Sequence, residues 1–367
     1  MANSYEKILV RAPNWIGDQI LAYPFFYYLR KAYPKARIAV ACVPWVASIQ
    51  FQDLINDVYV LPKPTSRGLM DRFHAIEEGA KKVRNAGPWD LAITLPNSFS
   101  SGFGVFRAGA KRRRGYSADG RGILLNDSVH FPEDHGDRAL IVHRAQAYLN
   151  LLPEEAKPKI MAREFWGRPA ENELDSDVPG VIDRFYPEKS WPDAELVIPP
   201  DEPYWVLAPG SAAESRRWTA ENFARIARLI LEQTGLRGVV VGGVSEALLA
   251  EELCSDTSLR LMDMTAQGPV SGLWKLFANA RFSLCNDSGL AHVAAICGSP
   301  LQVVWGAGDP QRTRPLGPKK IRLLFNPIDC WPCERNTCSL PSGREFSCLR
   351  GIGVDAVWKE IQDGLRP

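Results

Sequence analysis

The sequence predicts an α/β protein built from two doubly wound domains. Short apolar runs alternate with helical stretches through the first 150 residues, and the same alternation restarts after residue 203. Residues 153–203 interrupt this pattern and are rich in proline and acidic side chains, which is typical of a linker. The length of 367 residues suffices for about two domains of ordinary size.

In the first half, continuous apolar runs predict buried strands at residues 7–12, 36–42, 58–61 and 89–96, with a short strand in the basic segment 111–117. Apolar residues at helical spacing predict helices at about 18–32, 68–86, 98–110 and 139–152. This succession is the βαβ rhythm of a parallel sheet covered on both faces.

In the second half, strands are expected at residues 204–210, 238–243, 281–287 and 301–306. Thr219 is placed to cap a helix that ends near Gly235, and a last helix is expected at 354–365. We therefore expect an N-terminal domain at 1–190, a C-terminal domain at 200–345, and a tail at 346–367 that packs back on the first domain.

Composition excludes several classes of protein. The formal net charge of +2 gives no support for a nucleic-acid partner. The N-terminus, MANSYEKILV, lacks the basic and long apolar regions of a signal peptide, and no apolar run reaches the roughly 18 residues of a membrane span. A cytosolic protein is expected.

One carboxylate, Asp18, stands in the turn RAPNWIGDQI between the first strand and the first helix. In open parallel sheets, ligands bind outside the carboxyl ends of the strands. Asp18 therefore stands at a position where a ligand would bind, or it serves as the N-cap of the helix. The turns 11–18, 96–102, 209–217, 242–246 and 286–292 would line a cleft between two facing domains.

The segment NDSGLAHVAA places Asp287, Ser288 and Gly289 where a strand ends and a helix begins, with His292 on the same helical face as Ser288. Free N–H groups at a helix N-terminus favour anions such as phosphate. The alternative is an ordinary N-cap followed by a core histidine.

Two other turns carry groups suited to a nucleotide. Ser211 lies in a small-residue turn ahead of Arg216 and Arg217, which are either diphosphate ligands or solvated surface cations. Glu246 follows two glycines and either binds ribose hydroxyls or complements a helix dipole. No G-x-G-x-x-G, P-loop or G-x-S-x-G motif is present.

Taken together, the segments ILVRAPNWIGDQILAYPFFYYLRKAYP, LPNSFSS, RRRGYSADGRGILLND, APGSAAESRRW, GGVSE and NDSGLAHVAA resemble the ADP-heptose:lipopolysaccharide heptosyltransferases of glycosyltransferase family 9. The resemblance runs in order from about residue 7 to 318 and is strongest to the heptosyltransferase II type. It implies a GT-B fold, with two Rossmann-like doubly wound domains facing a central cleft, and an inverting transfer that requires no metal or other cofactor.

The resemblance also implies roles for individual residues. It makes Asp18 the catalytic base, and it places the donor on Ser211, Arg216, Arg217, Glu246, Asp287, Ser288, Gly289 and His292. The family usually has lysine at position 216, so the sequence does not separate Arg216 from Arg217. The expected acceptor-binding residues are Asn14, Trp15, Gly17, Asn97, Ser98, Arg113 and Arg121.

The implied partners are ADP-heptose and a lipid A–core acceptor, with peripheral contact to the cytosolic face of the inner membrane and no nucleic acid. The basic segment KRRRGYSADGR would meet anionic groups of the acceptor, or it forms a solvated strand edge.

Four of the eight cysteines crowd the C-terminal end with the spacing C-x2-C-x4-C-x9-C, namely Cys330, Cys333, Cys338 and Cys348. Four thiolates can hold a structural zinc or iron ion, and an iron-bearing four-cysteine site resembles what related autotransporter heptosyltransferases carry. Free or paired thiols are the alternative.

Three other functions compete with the first. The same chemistry with another acceptor would make the chain a heptosyltransferase I or III, or an enzyme that modifies protein. A nucleotide-sugar-binding module without catalysis and a GT-B-like epimerase are the other two.

Overall fold

The computed structural model describes residues 5–66, 68–118, 120–130, 142–158 and 181–365. They divide into two compact units. The first unit comprises the described residues up to 158 together with 186–192, and the second comprises 181–185 and 193–365. Within the described residues, no helix is long and apolar enough to span a bilayer.

The first unit is organised around a parallel sheet, with six strands in the described residues. These are β1 (Lys7–Arg11), β2 (Arg37–Cys42), β3 (Asp57–Val60), β4 (Leu91–Thr94), β5 (Arg112–Tyr116) and β6 (Asp127–Val129). The order is β3-β2-β1-β4-β5-β6, so the direction of winding reverses between β1 and β4. The turns after these two strands open a ligand-binding crevice in folds of this type.

The helices of the first unit follow the predicted pattern with one interruption. They are α1 (Ile16–Leu21), α2 (Tyr23–Ala32), α3 (Leu69–Asn85), α4 (Phe99–Arg107), α5 (Arg144–Asn150) and α6 (Pro187–Ser190). The single helix expected at 18–32 is divided at Ala22, because Pro24 has no N–H to donate to the preceding turn. The first residues of the helix expected at 139–152 lie outside the described residues.

The second unit contains another parallel sheet, again with six strands in the described residues. These are β7 (Tyr204–Ala208), β8 (Arg237–Val240), β9 (Leu261–Asp263), β10 (Ser283–Asn286), β11 (Leu301–Val304) and β12 (Ile321–Leu324). The order is β12-β11-β10-β7-β8-β9, and the winding reverses between β7 and β10. The segments after these two strands carry the predicted donor-binding residues except Glu246, which follows β8.

Seven helices belong to the described part of the second unit: α7 (Ala220–Thr234), α8 (Ala247–Ser255), α9 (Trp274–Asn279), α10 (Gly289–Ile296), α11 (Pro310–Thr313), α12 (Ser347–Arg350) and α13 (Val354–Leu365). The predicted boundaries of α7 are confirmed. Thr219 accepts a hydrogen bond from the N–H of Asn222, and Gly235 ends the helix with φ +71°.

The C-terminal helix differs from expectation in its packing. The buried face of α13, which carries Val354, Val357 and Ile361, lies in the core of the second unit with Trp205 and Leu207. The sequence analysis places this helix against the first domain. Its apolar stripe is covered by α7 and the β11–β12 side of its own sheet instead.

Candidate functional site

Asp18 lies in the first turn of α1, at the edge of the first sheet where β1 ends. The N-cap position of this helix belongs to Trp15, whose side chain makes no capping hydrogen bond. The N-cap alternative for Asp18 is therefore not what the structure shows. The carboxylate is largely buried, with 25% of its side chain exposed.

The partner of Asp18 is a residue that the sequence analysis does not identify. Arg144, the first residue of α5, places its Nε 3.6 Å from Oδ1 of Asp18. Tyr148 lies one turn further along α5, and its pKa is raised well above the ordinary value by burial and by the negative charge of Asp18. A basic residue in the first turn of a helix opposes the helix dipole, and that is the one local signal that marks Arg144.

The turn before Asp18 is fixed by hydrogen bonds. The Oδ1 of Asn14 accepts from Nη2 of Arg11 at 2.6 Å, and its backbone carbonyl accepts from Nε1 of Trp45 at 2.6 Å. Trp15 is 65% exposed, whereas Gly17 is buried in the first turn of α1. The structure thus brings Asn14, Trp15 and Gly17 together beside Asp18.

The turn after β4 holds Asn97 and Ser98. Ser98 caps α4 by accepting a hydrogen bond from the N–H of Ser101. Asn97 accepts from Nη2 of Arg121 at 3.2 Å.

Arg121 itself is fully buried, and its guanidinium also donates to the carbonyls of Tyr116 and Pro96. The predicted acceptor contact of Arg121 needs correction, because its donors are used inside the unit to hold this turn.

The basic segment around β5 is likewise occupied within the first unit. Arg113 donates to the carbonyls of Leu124 and Ala110 and lies over the ring of Phe106. Arg112 and Arg114 both bond to Asp127.

Burial alone would raise the pKa of Asp127, but the two guanidinium groups hold it below its ordinary value. Since β5 is an inner strand among the described strands, the segment is not a strand edge.

In the second unit, the turns after β7 and β10 are joined by hydrogen bonds. The hydroxyl of Ser211 donates to the carbonyl of Asp287 at 2.9 Å. Asn286 donates to the carbonyl of Pro209 at 2.6 Å and accepts from the N–H of Trp218 at 3.1 Å. These contacts make the predicted donor residues one continuous cluster.

The structure separates the two neighbouring arginines. Arg216 places Nη1 3.3 Å from Oδ2 of Asp287, whereas Arg217 donates through Nε to the carbonyl of Ser211. The Nε of Arg216 is buried and has no hydrogen-bond partner among the described residues. Arg216 is therefore the cation that belongs to the cluster, and Arg217 holds the backbone.

Several buried polar atoms at the start of α10 lack hydrogen-bond partners among the described residues. Oγ of Ser288 and Nδ1 of His292 are buried and make no hydrogen bond among the described residues, and Oδ2 of Asp287 has only its ion pair with Arg216. Ser288 occupies the N-cap position, yet its side chain does not cap the helix. Buried polar atoms without partners are rare and costly, so this cluster is complementary to a polar ligand.

Burial also sets the protonation of this cluster. It raises the pKa of Asp287 to about 6, although the charge of Arg216 acts in the opposite direction. It lowers the pKa of His292 to about 3, with a further contribution from Arg216. His292 is therefore a neutral imidazole at neutral pH, able to donate or accept one hydrogen bond through Nδ1.

Glu246 lies beside the same cluster. A Cβ atom at Gly210 would come within 2.4 Å of its Cγ, and one at Gly242 within 2.8 Å of its Cβ. The two glycines therefore make room for this side chain. Its carboxylate accepts from the N–H of Gly243 and the hydroxyl of Ser245, both at 2.8 Å.

A segment that the sequence analysis did not connect with the site braces the turn before Arg216. Ser215 donates through its hydroxyl to the carbonyl of Arg335 at 2.5 Å and through its N–H to that of Asn336 at 3.3 Å. Its own carbonyl accepts from the N–H of Ala307 at 3.1 Å. Ser215 is thus a positioning residue for Arg216.

The bracing segment carries the cysteine cluster. Burial raises the pKa of Cys348, and the neighbouring thiols add to the rise; they belong to Cys330, Cys333 and Cys338. As placed, however, the described residues contain no group of three or more His, Cys, Asp or Glu side chains arranged to hold a metal ion.

Comparison with known proteins gives consistent matches. A family model described as glycosyltransferase family 9 (heptosyltransferase) matches residues 79–343. The chain is 27% identical over 331 residues to lipooligosaccharide heptosyltransferase 2 of Haemophilus ducreyi, which covers 87% of this chain and 89% of that relative.

Solved structures share the fold. ADP-heptose LPS heptosyltransferase II of E. coli matches with a TM-score of 0.72 and 22% identity over 98% of each chain. The iron-containing dodecameric glycosyltransferase TibC of enterotoxigenic E. coli H10407 matches with a TM-score of 0.57 and 14% identity, over 99% of this chain and 77% of that one. The predicted GT-B fold is confirmed. On the strength of the family match, this chain belongs to glycosyltransferase family 9, the heptosyltransferases, and is a glycosyltransferase.

Proposed function

We propose that this enzyme moves heptose from ADP-L-glycero-D-manno-heptose to the inner core of lipopolysaccharide, as a heptosyltransferase of type II, with inversion at the anomeric carbon. The names of the matched relatives support the donor and the acceptor. The observation that carries the proposal is the buried, unsatisfied polar cluster at the start of α10.

The donor is proposed to complete that cluster. The diphosphate would lie against Arg216 and the free N–H groups at the start of α10, where both the guanidinium and the helix dipole favour negative charge. Ser288 and His292 would bond to phosphate or sugar oxygens. Glu246, held between two glycine turns, would accept from the ribose hydroxyls.

Asp18 is proposed as the general base. An inverting transfer needs a group that takes the proton of the acceptor hydroxyl while the sugar–phosphate bond breaks on the other face of the anomeric carbon. The guanidinium of Arg144, whose Nε lies 3.6 Å from Oδ1, would help to orient Asp18. General-base assistance of this kind is worth about 10²–10⁴-fold in rate.

The leaving group is proposed to be stabilised by protein groups alone. Negative charge grows on the departing diphosphate, and Arg216 with the α10 N–H groups would meet it without reorganisation. No metal or other cofactor takes part in the reaction as proposed. The four cysteines would have to move their side chains to hold a structural zinc or iron ion. Metal analysis of protein purified without chelator tests whether such an ion is bound.

The acceptor is proposed to bind at the turn that carries Asn14, Trp15 and Gly17. Trp15 and Trp45 expose 65% and 49% of their surface in this region, and exposed tryptophan favours both sugar stacking and the membrane interface. The enzyme is accordingly proposed to work at the cytosolic face of the inner membrane, where a lipid-linked acceptor is presented.

The test is a transfer assay with ADP-heptose and core lipids that end before the first, second or third heptose. Transfer to the lipid that carries one heptose, with inverted anomeric configuration by NMR, is the expected result. Transfer only to another lipid or to protein would show that the acceptor is not the one proposed. ADP-heptose binding without transfer to any acceptor would overturn the catalytic proposal.

A further inference from the structure

A second candidate binding site lies inside the first unit. A cavity of about 400 Å³ is enclosed by α3, α4 and the carboxyl ends of β1 and β2. Its lining is chiefly aliphatic, with side chains such as Leu61, Ile76, Val83 and Val105. Asp18 and the acceptor turn residues Asn14, Trp15 and Gly17 do not line it. Its volume is within the range of small-molecule sites, roughly 300–1,000 Å³.

One charged group within this apolar lining lacks a counter-ion. Arg11 lines the cavity at the end of β1, and its guanidinium donates to two neutral oxygens, the carbonyl of Ala12 and Oδ1 of Asn14. Among the described residues, it forms no ion pair. Burial lowers the pKa of Arg11 to about 10. Arg11 is partly buried, and a carboxylate in the cavity would pair with it through charge-assisted hydrogen bonds, so the cavity is complementary to an anion.

We propose that this cavity binds a fatty carboxylate, whose carboxylate meets Arg11 and whose chain lies along the aliphatic lining. Arginine binds carboxylates through two parallel hydrogen bonds. If each methylene needs about the volume of a liquid water molecule, roughly 30 Å³, the cavity holds a chain of about a dozen carbons. Arg72 also lines the cavity and is exposed, so it lies where the cavity meets solvent.

A carbohydrate fits the cavity less well than an acyl chain. Sugar hydroxyls would find few partners among the aliphatic side chains, and each unsatisfied hydroxyl costs free energy. An apolar chain instead gains roughly 0.8 kcal/mol for each methylene that it buries. The combination of a partly buried cation, Arg11, with a chiefly aliphatic lining therefore favours an amphiphile with a single anionic end.

Binding at Arg11 would also reach the acceptor turn. The same guanidinium holds Asn14 at 2.6 Å, and Asp18 follows in the next helical turn. A carboxylate that shares this guanidinium is expected to change the KM for the acceptor. This consequence rests on the proposed function, whereas the binding itself does not.

The test measures binding of dodecanoate, dodecanol and hexanoate to the full chain by calorimetry, below their aggregation concentrations. Dodecanoate is expected to bind at least tenfold more tightly than either of the others. Arg11→Met should remove the advantage of dodecanoate over dodecanol. Arg107→Met removes an exposed arginine outside the cavity and should leave all three affinities unchanged.

A second variant keeps the test valid if Arg11→Met does not fold. A Cβ at Gly104 would stand 3.9 Å from Cγ2 of Ile76, an ordinary contact, so Gly104→Leu is expected to fill space in the cavity. Gly104→Leu should weaken the binding of dodecanoate at least tenfold. Equal dodecanoate affinity in wild type, Arg11→Met and Gly104→Leu would overturn the proposal. Displacement of dodecanoate by an acyl-free core oligosaccharide would also overturn it, because the cavity would then be part of the acceptor site.

Discussion

Arg144 and Asp18 form an ion pair within the first unit, with Nε 3.6 Å from Oδ1. It joins the start of α5 to the first turn of α1. The pair therefore ties the orientation of the proposed base to a helix distant in sequence.

Replacing Arg144 by glutamine should lower kcat at least tenfold and leave ADP affinity unchanged, because Asp18 loses the group that orients it. Arg144→Lys should restore part of the rate, since it keeps the charge. The pH–rate profile of each variant is the decisive readout, because a merely structural role for Arg144 would not change the pH dependence of the rate. The same pH–rate profile in Arg144→Gln and wild type would contradict this role.

The two adjacent arginines of the second unit provide a matched pair. Arg216→Met should weaken ADP binding by about 10–100-fold, as expected for the loss of a hydrogen bond to a charged group, roughly 1.5–3 kcal/mol. Arg217→Met should weaken it less, because Arg217 bonds to the backbone of Ser211. Titration calorimetry with ADP measures both, and a larger loss in Arg217→Met would reverse the assignment.

The brace behind Arg216 predicts an indirect effect. Ser215→Ala removes the hydroxyl bond to Arg335 and should raise KM for the donor several-fold with little change in kcat. Ser255→Ala removes an exposed hydroxyl bond on the same unit and is a suitable control. Unchanged donor KM in Ser215→Ala would show that the brace does not position Arg216.

The ionised carboxylate of Asp287 should lower the free energy of unfolding of the ligand-free protein. Its pKa of about 6 in the folded state exceeds the ordinary value of 3.8, so the folded state holds the proton more tightly than the unfolded chain. Stability should therefore fall as the pH rises from about 4 to 6 and stay lower above that range.

Asp287→Asn should abolish this dependence. It should raise the free energy of unfolding at pH 8 by on the order of 2–3 kcal/mol while weakening donor binding. Chemical denaturation at pH 4, 6 and 8 tests this. A variant less stable than wild type at pH 8 would contradict the assigned pKa.

His292 should affect stability in the opposite pH direction. Because its pKa is lowered in the folded state, the free energy of unfolding should fall as the pH falls from 6.5 towards 3.

Arg121 should matter for folding more than for the acceptor. Arg121→Met removes the buried guanidinium that donates to the carbonyls of Tyr116 and Pro96 and to the hydroxyl of Ser101. The free energy of unfolding should fall by about 2 kcal/mol or more, whereas acceptor KM of the folded fraction should change little. A selective rise in acceptor KM at unchanged stability would restore the acceptor role predicted from the sequence.

The sequence predicts the fold well where the signal is local. Apolar runs locate eight of the twelve described strands and the basic segment locates a ninth, β5, while the Thr219 and Gly235 signals locate the ends of α7. It misses β6, β9 and β12, which are three or four residues long. The third strand, β3, alternates between half-buried and exposed residues, and its pattern is weaker than that of β1 or β4.

The candidate site is predictable only in part, for a physical reason. Asp18, Asp287 and His292 stand in the turns after strands or in the first helical turns that follow, whose place at a sheet edge follows from the βαβ rhythm. The partners of charged side chains do not follow from it. Arg144 reaches Asp18, and Arg121 reaches Asn97, across long stretches of sequence. A rule that treats arginine as exposed by default therefore misassigns Arg121 and overlooks Arg144.

The measurement that tests the proposed mechanism most directly compares Asp18→Asn with wild type in two assays on the same preparation. We predict unchanged ADP affinity by calorimetry and a fall in heptose transfer of at least about 100-fold, because the amide keeps the shape of the carboxylate but accepts no proton. Asp57→Asn, which removes an acid from a surface ion pair, should keep full activity. Transfer at the wild-type rate by Asp18→Asn would contradict the mechanism.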